Sequence, residues 1–376
     1  MEFSFREALD KLGRDAGFRI LNEAVRPDSA YLFNTLLPET NKPSYYVDNG
    51  YMVIRPVMAG LVGMSSPYPP GSVMDASTFL EKTGKVANKV TLEEEAIRQI
   101  QELLRQQGLV GEARKEFLAN EVFNFQNLVI RQGHTDTFEW LRAEALYTGK
   151  IDWTFNGIHL DIDYKVPSTF FGTNRTGNDR YNAEHADNKF WVDHYAALAA
   201  LHYNVRAIIA HTDTVLKLIN TMQLNVDVSQ NGNIFTFKRW RTRGNNERPA
   251  SDSRDALSII AYDLEGEVLN PADTSKTIKV KFAKAGKLLY VANNNRSGYR
   301  VGEGAVPDPV RSLALGYTHI APTVEGDGRM GRWGRLFVPE DAQWSVRGEG
   351  VTNGLPVRED VTATQAKTYV LSTDLA

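Results

Sequence analysis

The stretch from about Tyr45 to Val90 constrains the fold of this chain more than any other. Its outward leg, SYYVDNGYMVIRPVMAG, is rich in β-branched and aromatic residues and predicts a strand. Its return leg, STFLEKTGKVANKV, is polar and extended. Between them residues 58–73, MAGLVGMSSPYPPGSV, hold three glycines, three prolines and no charged side chain. Pro67, Pro69 and Pro70 each remove a backbone donor, which argues against both a buried strand and a helix. The apolar run also falls well short of the ~20 residues that a bilayer core demands. A compact domain seldom carries so long a helix-free excursion without a use for it. A weakly polar loop of this kind is expected to be covered, and if its own domain does not cover it, a neighbouring molecule does.

The segments around the excursion read as a mixture of helix and strand. Met1 to Leu37 predicts a short helix and then an irregular arm ending at the proline of LLPET. Thr91 and Glu94 form a capping box that predicts an abrupt helix start in TLEEEAIRQIQELLRQQG, with Ile97, Ile100, Leu103 and Leu104 on one face. A second helical run, EARKEFLANEVFNFQNLVIRQGHTDTFEWLRAEALYTG, stops at Gly149, a C-cap candidate. IDWTFNGIHLDIDY then alternates around Asn156-Gly157, a hairpin signal. From Tyr195 onward HYAALAALHYNV reads as helix, RAIIA as a short buried strand and HTDTVLKLINTMQLN as helix. SIIAYDL, TIKVKFAKAGKLLYVANN and SLALGYTHIAPTV read as strands, and the last piece, NGLPVREDVTATQAKTYVLSTDLA, ends in one more.

Size and composition bound the function. A chain of 376 residues exceeds the ~250 to 300 at which a single core stops growing, so two or three substructures are expected. The net charge is -3, and the first 30 residues hold five basic side chains against six acidic ones, so there is no basic arm for nucleic acid. Zero cysteines exclude disulfides, thiolate metal sites and a cysteine nucleophile. The N-terminus MEFSFREALDKLG is amphipathic and lacks the apolar stretch of a signal peptide, which predicts a protein made and kept in a cytoplasm.

Four stretches invite a catalytic or binding reading. GDGRMG at Gly326 to Gly331 fits a dinucleotide-loop pattern, but RWGRLFVPED after it is no helix, so a surface loop is expected; the same holds for VGEGAV at Val301 to Val306. His185, His194, His202 and His211 are spaced nine, eight and nine apart, which puts no pair on one helix face, so structural histidines are expected rather than metal ligands. Asp161 and Asp163 share a strand face, as general acid/base work or a hard cation requires, and the solvated face of a hairpin is the favoured alternative, with Ile158, Leu160 and Ile162 turned inward. Residues 238–254, KRWRTRGNNERPASDSR, carry six basic side chains against Glu247 and Asp252. A solvated basic loop, a grip on nucleic acid and a subunit contact all remain open there. No nucleophile, metal set, cofactor site or phosphate cradle emerges.

What remains is an architecture: arm, long extended loop, long helix, hairpin, α/β domain, terminal strand. That order, carried by VIRPVMAGLVG and FLEKTGKVANKV, FEWLRAEALYTGKIDW, GIHLDIDY, NKFWVDHYAAL, VKFAKAGKLLYVANN and LPVREDVTATQAKTYVLSTDLA, resembles the tailed-bacteriophage major capsid proteins. Those have the Hong Kong 97-like fold, and in detail the chain is similar to the lambda-type family, major capsid protein E, over most of residues 31 to 376. Two features depart from the pattern: the N-terminal stretch is too short for a long built-in scaffolding segment, and no Lys-Asn crosslinking pair is identifiable.

The resemblance implies an α+β chain with an N-terminal arm (1–42), an extended loop (43–90) and a peripheral domain with a long spine helix and a β-hairpin (91–190). An α/β axial domain (191–349) and a C-terminal strand returning to the core (350–376) complete it. It implies a structural protein without catalysis, cofactor or metal, found in the virion capsid after synthesis in the host bacterial cytoplasm. Such a protein self-assembles into hexamers and pentamers of an icosahedral head around double-stranded DNA, without sequence-specific contact or membrane. A separate scaffolding protein, a portal and a decoration protein are the implied partners. Expected subunit contacts are Pro56, Met58, Leu61, Met64, Pro67, Tyr68 and Pro70 in the extended loop and Arg239, Trp240, Arg241 and Arg243 in the basic loop. An encapsulin-like nanocompartment shell is the alternative within this fold, and a metal-dependent hydrolase the alternative from a different class.

Overall fold

The computed structural model describes residues 27–56, 72–92, 95, 98, 102, 130–155, 158–173, 175, 181, 189–221, 226–243, 246–249, 256–270, 273–293, 314–337, 346–362 and 365–373. They form an α+β fold. Where an irregular arm was expected, a 3-10 turn at Asp28–Ala30 and a short helix α1 (Leu32–Leu36) bury Phe33 and Leu36. Strand β1 (Glu39–Asn41) follows, and then β2 (Tyr46–Pro56) and β3 (Ser72–Lys82) pair along their whole length as an antiparallel ribbon, the two legs of the expected excursion.

Strand β4 (Gly84–Leu92) corrects the expected helix start. Thr91 is paired with Arg347 and Leu92 with Val346, so the sheet ladder claims the backbone that a helix cap would have used. Helical backbone is present at Glu95, Arg98 and Glu102, all exposed. The long helix α2 (Gln132–Thr148) ends as expected at Gly149, whose φ of 70° and ψ of 10° are the left-handed C-cap conformation. Any Cβ there would also lie 2.9 Å from Val166. Strands β5 (Lys150–Phe155) and β6 (Ile158–Asp163) make the expected hairpin.

The α/β part holds α3 (Phe190–Ala200), which starts and ends four to five residues before the expected HYAALAALHYNV helix, and β7 (Val205–Ala210) and α4 (Thr212–Thr221), close to where the sequence put them. Strands β8 (Val226–Asn231), β9 (Ile234–Arg243), β10 (Asn246–Pro249), β11 (Ala256–Ala261), β12 (Glu265–Asn270), β13 (Asp273–Lys281) and β14 (Lys287–Ala292) come next. The chain closes with β15 (Gly316–Ala321), β16 (Trp333–Phe337), β17 (Val346–Arg358) and β18 (Thr368–Ser372). The boundaries expected at 90 and 349 fall inside β4 and β17.

Two sheets organise these strands. A seven-stranded sheet runs β10-β9-β11-β7-β14-β18, with β8 also on β9. A five-stranded sheet runs β1-β15-β17-β16, with β4 on the other side of β17. Strand alternation turns the central strands of the first sheet to both faces. Leu288, Tyr290 and Ala292 of β14 join the cluster with Ala197 of α3 and Leu218 of α4, while Leu289 and Val291 join the one with Ala143 and Leu146 of α2. Helix α2 is shared, because Phe138, Leu141 and Ala145 on its other side pack with Ile151, Ile162, Ile320 and Leu355. It therefore lies between the two sheets, which is why its apolar residues are not confined to one stripe.

Candidate functional site

Both legs of the ribbon end in the five-stranded sheet. β1 pairs in parallel with β15, and β4 pairs with β17. The root is pinned by Lys42 N–H donating to the Ile320 carbonyl at 2.9 Å, by the His319 ring nitrogen Nε2 against the Ser44 carbonyl at 2.7 Å, and by Thr83 N–H to the Tyr45 carbonyl at 3.1 Å. Val47 is fully buried, whereas Tyr45 and Tyr46 are exposed. Beyond this root the ribbon pairs with no third strand among the described residues. Pro56 closes β2 opposite Ser72. Met58, Leu61, Met64, Pro67, Tyr68 and Pro70 lie outside the described residues.

The basic segment is a ribbon rather than a loop over most of its length. Arg239 pairs with Val226 of β8, and Trp240, Arg241, Thr242 and Arg243 pair with Pro249, Arg248, Glu247 and Asn246 of β10. The first half of β9 is held between β8 and β11 by the buried Phe235 and Phe237, and the same alternation carries the strand on into the basic half. The sequence reading missed this because a run of arginines followed by Gly-Asn-Asn in the sequence resembles a solvated loop when the apolar residues that anchor the strand precede it.

The enzyme-like candidates go to separate places. His194 is buried, with Nδ1 3.1 Å from the Tyr290 hydroxyl, and His202 is exposed in a left-handed turn with φ of 52°. His211 starts α4, its Nδ1 accepting from Asp213 N–H at 3.1 Å, while Asp263 accepts from Thr212 N–H at 2.8 Å. Both contacts satisfy donors of the first turn of the helix. His185 lies outside the described residues. Among the described residues no three His, Asp or Glu side chains converge as metal ligands. Asp161 and Asp163 are exposed on β6, with Ile162 buried and Leu160 half-buried behind them, as the hairpin-face alternative requires. GDGRMG is a turn between β15 and β16, both strands.

What the sequence reading did not find is a buried charged network around α2. Arg142 and Glu139, one turn apart, have fully buried side chains. Arg142 donates from Nε to Thr318 Oγ1 at 2.8 Å, from Nη1 to Glu139 Oε2 at 3.3 Å and from Nη2 to Glu39 Oε1 at 3.2 Å. Glu139 Oε1 accepts from Phe33 N–H and the Tyr262 hydroxyl, both at 2.8 Å. Arg332 donates to Glu39 Oε1 and to Thr135 Oγ1, each at 2.7 Å. Burial pushes the Glu139 carboxyl above its ordinary value, and Arg142 only partly opposes it. Glu39 is also penalised by burial, yet Arg332 and Arg142 together hold it below its ordinary value. Burial, with the Arg332 charge behind it, brings His134 down to about 3. A second buried pair, Arg358 with Asp360 at 2.6 Å, donates to the Ala145 carbonyl and to Thr368, joining β17, α2 and β18. These contacts fix segment 31–41, and with it the root of the ribbon, against α2 and β15.

Glycines on β17 let α2 come this close. A Cβ on Gly350 would sit 2.0 Å from Ile130 Cγ2, and one on Gly354 2.7 Å from the Phe138 ring. Thr352, between them on the same face, meets His134 Nδ1 at 2.8 Å. The opposite face of this sheet is a shallow groove of about 480 Å³ lined by residues that include Ala87, Lys89, Trp333, Arg335, Glu349 and Val351. None of this arrangement brings together a nucleophile, a base and an oxyanion donor; it supplies surfaces and a firmly anchored projection.

No protein-family model matches the chain, and no curated protein sequence does. Among solved structures, a crystal structure described as a capsid protein of a prophage of Escherichia coli CFT073 matches 97% of this chain and 98% of its own, with a TM-score of 0.52 and 13% identity. A chain from Mycobacterium phage Cain matches over 100% of both chains, with a TM-score of 0.43 and 11% identity. The encapsulin of Synechococcus elongatus PCC 7942 matches over 96% of both, at 0.39 and 12%. The chain shares the fold of the prophage protein along nearly its whole length.

Proposed function

We propose that this chain is a structural major capsid protein of a tailed bacteriophage, with the Hong Kong 97-like fold and without catalytic activity. Copies associate as hexamers and pentamers of a closed icosahedral head around double-stranded DNA. Assembly involves a separate scaffolding protein and a portal, and a decoration protein on the finished shell. Residues 43–90 are the extended loop that lies over an adjacent copy, with Pro56, Met58, Leu61, Met64, Pro67, Tyr68 and Pro70 as contacts near its tip.

The ribbon carries this reading. Its two strands of eleven residues span about 35 Å. A two-stranded ribbon standing alone in water is marginally stable at best, so one that pairs with no third strand among the described residues is suited to a covering surface, which in this reading an adjacent copy supplies. The tip sequence suits docking: without charge it loses little hydration, prolines reduce the entropy lost on ordering, and glycines let it follow another surface. A root fixed by buried charges makes a firm base for such a projection.

Negative-stain microscopy and sedimentation of the expressed chain test the proposal. Rings or closed shells are expected from the complete chain. A variant with residues 55–85 replaced by a short Gly-Ser linker loses the strand signal of the ribbon but should keep a cooperative unfolding transition and sediment as a monomer. Normal shells from that variant, or a complete chain that stays monomeric at every concentration, would overturn the reading. Shells that enclose a specific protein and never DNA would move it to an encapsulin-like compartment.

A further inference from the structure

The five-stranded sheet has two unlike faces. Gly350, Thr352 and Gly354 of β17 meet α2 on one, and alternation turns Glu349 and Val351 to the other. Across that second face the ladders line up two rows. Trp333 of β16, Val351 of β17 and Ala87 of β4 stand side by side in one, and Arg335, Glu349 and Lys89 in the next. The apolar row is the floor of the groove of about 480 Å³, and the charged row is its rim. Ala87, Lys89 and Arg335 are exposed, and Trp333 is half-buried. Arg335 is tied to the rim, donating from Nε and Nη2 to Glu349 Oε2 at 3.0 and 2.7 Å with its guanidinium carbon 5.7 Å from the Trp333 ring centre. The turn closed by the Pro322–Met330 bridge lies against the indole at Gly326 and adds Val324 and Met330, 79% and 43% exposed.

A groove with an aromatic floor and basic donors on its rim suits an extended, uncharged peptide that brings carbonyl acceptors. Proline-rich chain in the polyproline II form is of that kind, because its φ is preset, its carbonyls have no internal partners and its rings pack on aromatic side chains. This chain carries such a stretch, SSPYPPG at residues 65–71, without charge. The dimensions agree. Three strands set the groove about 10 Å across, which three residues of polyproline II cover at ~3.1 Å each.

We infer that residues 65–71 of a second copy of this chain dock in polyproline II form in the groove across β16, β17 and β4. The inference rests on the proposed shell function and names the surface that receives the tip of the extended loop. A copy's own tip is out of reach. Thr83 alone separates β3 from β4, so the groove lies beside the ribbon root, whereas the paired legs carry Pro56 and Ser72 about 35 Å away from it. Pro67 is five residues before Ser72, a return of at most ~18 Å. The contact is therefore heterologous, each copy offering a tip and accepting one, as rings require.

Two full-length variants and one peptide test this. Ala87→Glu puts a charge on the floor of the groove, and P67A/P69A/P70A keeps the tip apolar but removes its preset φ. Each, confirmed as folded by circular dichroism and urea unfolding, should lower the sedimenting assembled fraction about tenfold. The peptide GMSSPYPPGSV, residues 63–73, added in excess should inhibit assembly of the wild-type chain, and the same peptide with alanine for proline should not. The peptide arm uses the unmodified chain, so it decides the matter even where a variant fails to fold. Variants that assemble like the wild type, or a peptide without effect, would overturn the groove contact while leaving the shell reading intact. Lost assembly in Ala87→Glu with normal assembly in the proline variant would overturn it in favour of another segment in the groove. A wild-type chain that forms no assembly at all would defeat both readings.

Discussion

The two sheets are held in different ways. In the seven-stranded sheet, alternate residues of β14 feed two apolar clusters, and the packing is mainly aliphatic and aromatic, with isolated polar contacts such as that of Tyr290 with His194. Against the five-stranded sheet, α2 rests on Gly350 and Gly354 and reaches segment 31–41 through Arg142, Glu139 and Glu39. Apolar packing tolerates small shifts of register, because it is non-directional. A buried guanidinium with donors spent on Thr318, Glu139 and Glu39 accepts one arrangement only. The first sheet therefore supplies bulk stability, and the second supplies position, at the place where the ribbon leaves the body.

The largest test of this contrast is removal of Arg142. Arg142→Met leaves the Glu139 carboxyl buried beside Phe33 and Tyr262 with its counter-charge gone, which costs about 3–5 kcal/mol. Leu289→Ala in the seven-stranded sheet should cost a similar ~2–5 kcal/mol, through lost apolar burial and the cavity left behind. Pairing each with Glu139→Gln separates the causes. It should recover a large part of the Arg142→Met loss in urea unfolding and none of the Leu289→Ala loss. Equal responses of the two variants would erase the distinction.

A smaller effect comes from the glycine contact. Gly350→Ala places a methyl 2.0 Å from Ile130, so α2 or Ile130 must move, at a cost of about 1–3 kcal/mol. Adding Ile130→Ala should give a double mutant more stable than the sum of the two single losses predicts, because the same space is contested. Strict additivity in denaturant titrations would mean that the helix does not lean on that glycine.

The same contrast sets what the sequence made legible. The apolar run of KLLYVA, the Gly149 stop and the IDWTFNGIHLDIDY hairpin are local signals, and the structure keeps all three. Thr91 misled because its capping pattern is local while its strand partner, Arg347, lies far along the chain. Glu139 and Arg142 read as an ordinary helical ion pair; only their burial against Phe33, Thr318 and Tyr262, from three distant segments, changes their meaning. Gly350 and Gly354 sit in a sequence, GEGVTNGLP, whose two-residue spacing signals a face of small residues, but nothing local says that a helix covers it. Of the candidate contacts, Arg239 to Arg243 proved to be strand because β8 and β11 fix the half of β9 before them.

The smallest expected effect, and the sharpest on position, is the response to acid. Glu39 has its folded-state carboxyl held below its ordinary value of 4.5, so its contribution is complete above that value and is lost as pH falls through the lowered folded value. Glu139 works in the opposite sense. Its folded value is raised, so its contribution is complete below 4.5 and declines as pH climbs from there through the raised value. Glu39→Gln should therefore flatten the loss of stability below pH 4.5, and Glu139→Gln should flatten the decline above it. Urea midpoints measured across both windows read the two separately. Because Glu39 begins the strand that leads to the ribbon, acid should also free the ribbon root before the rest of the fold. Hydrogen exchange at Lys42 N–H and Thr83 N–H, which bond to Ile320 and Tyr45, should then rise below pH 4.5 while exchange in β14 stays slow. Simultaneous loss of protection in both places would show that the two sheets unfold as one unit and that the charged network holds the whole body rather than the root of the projection.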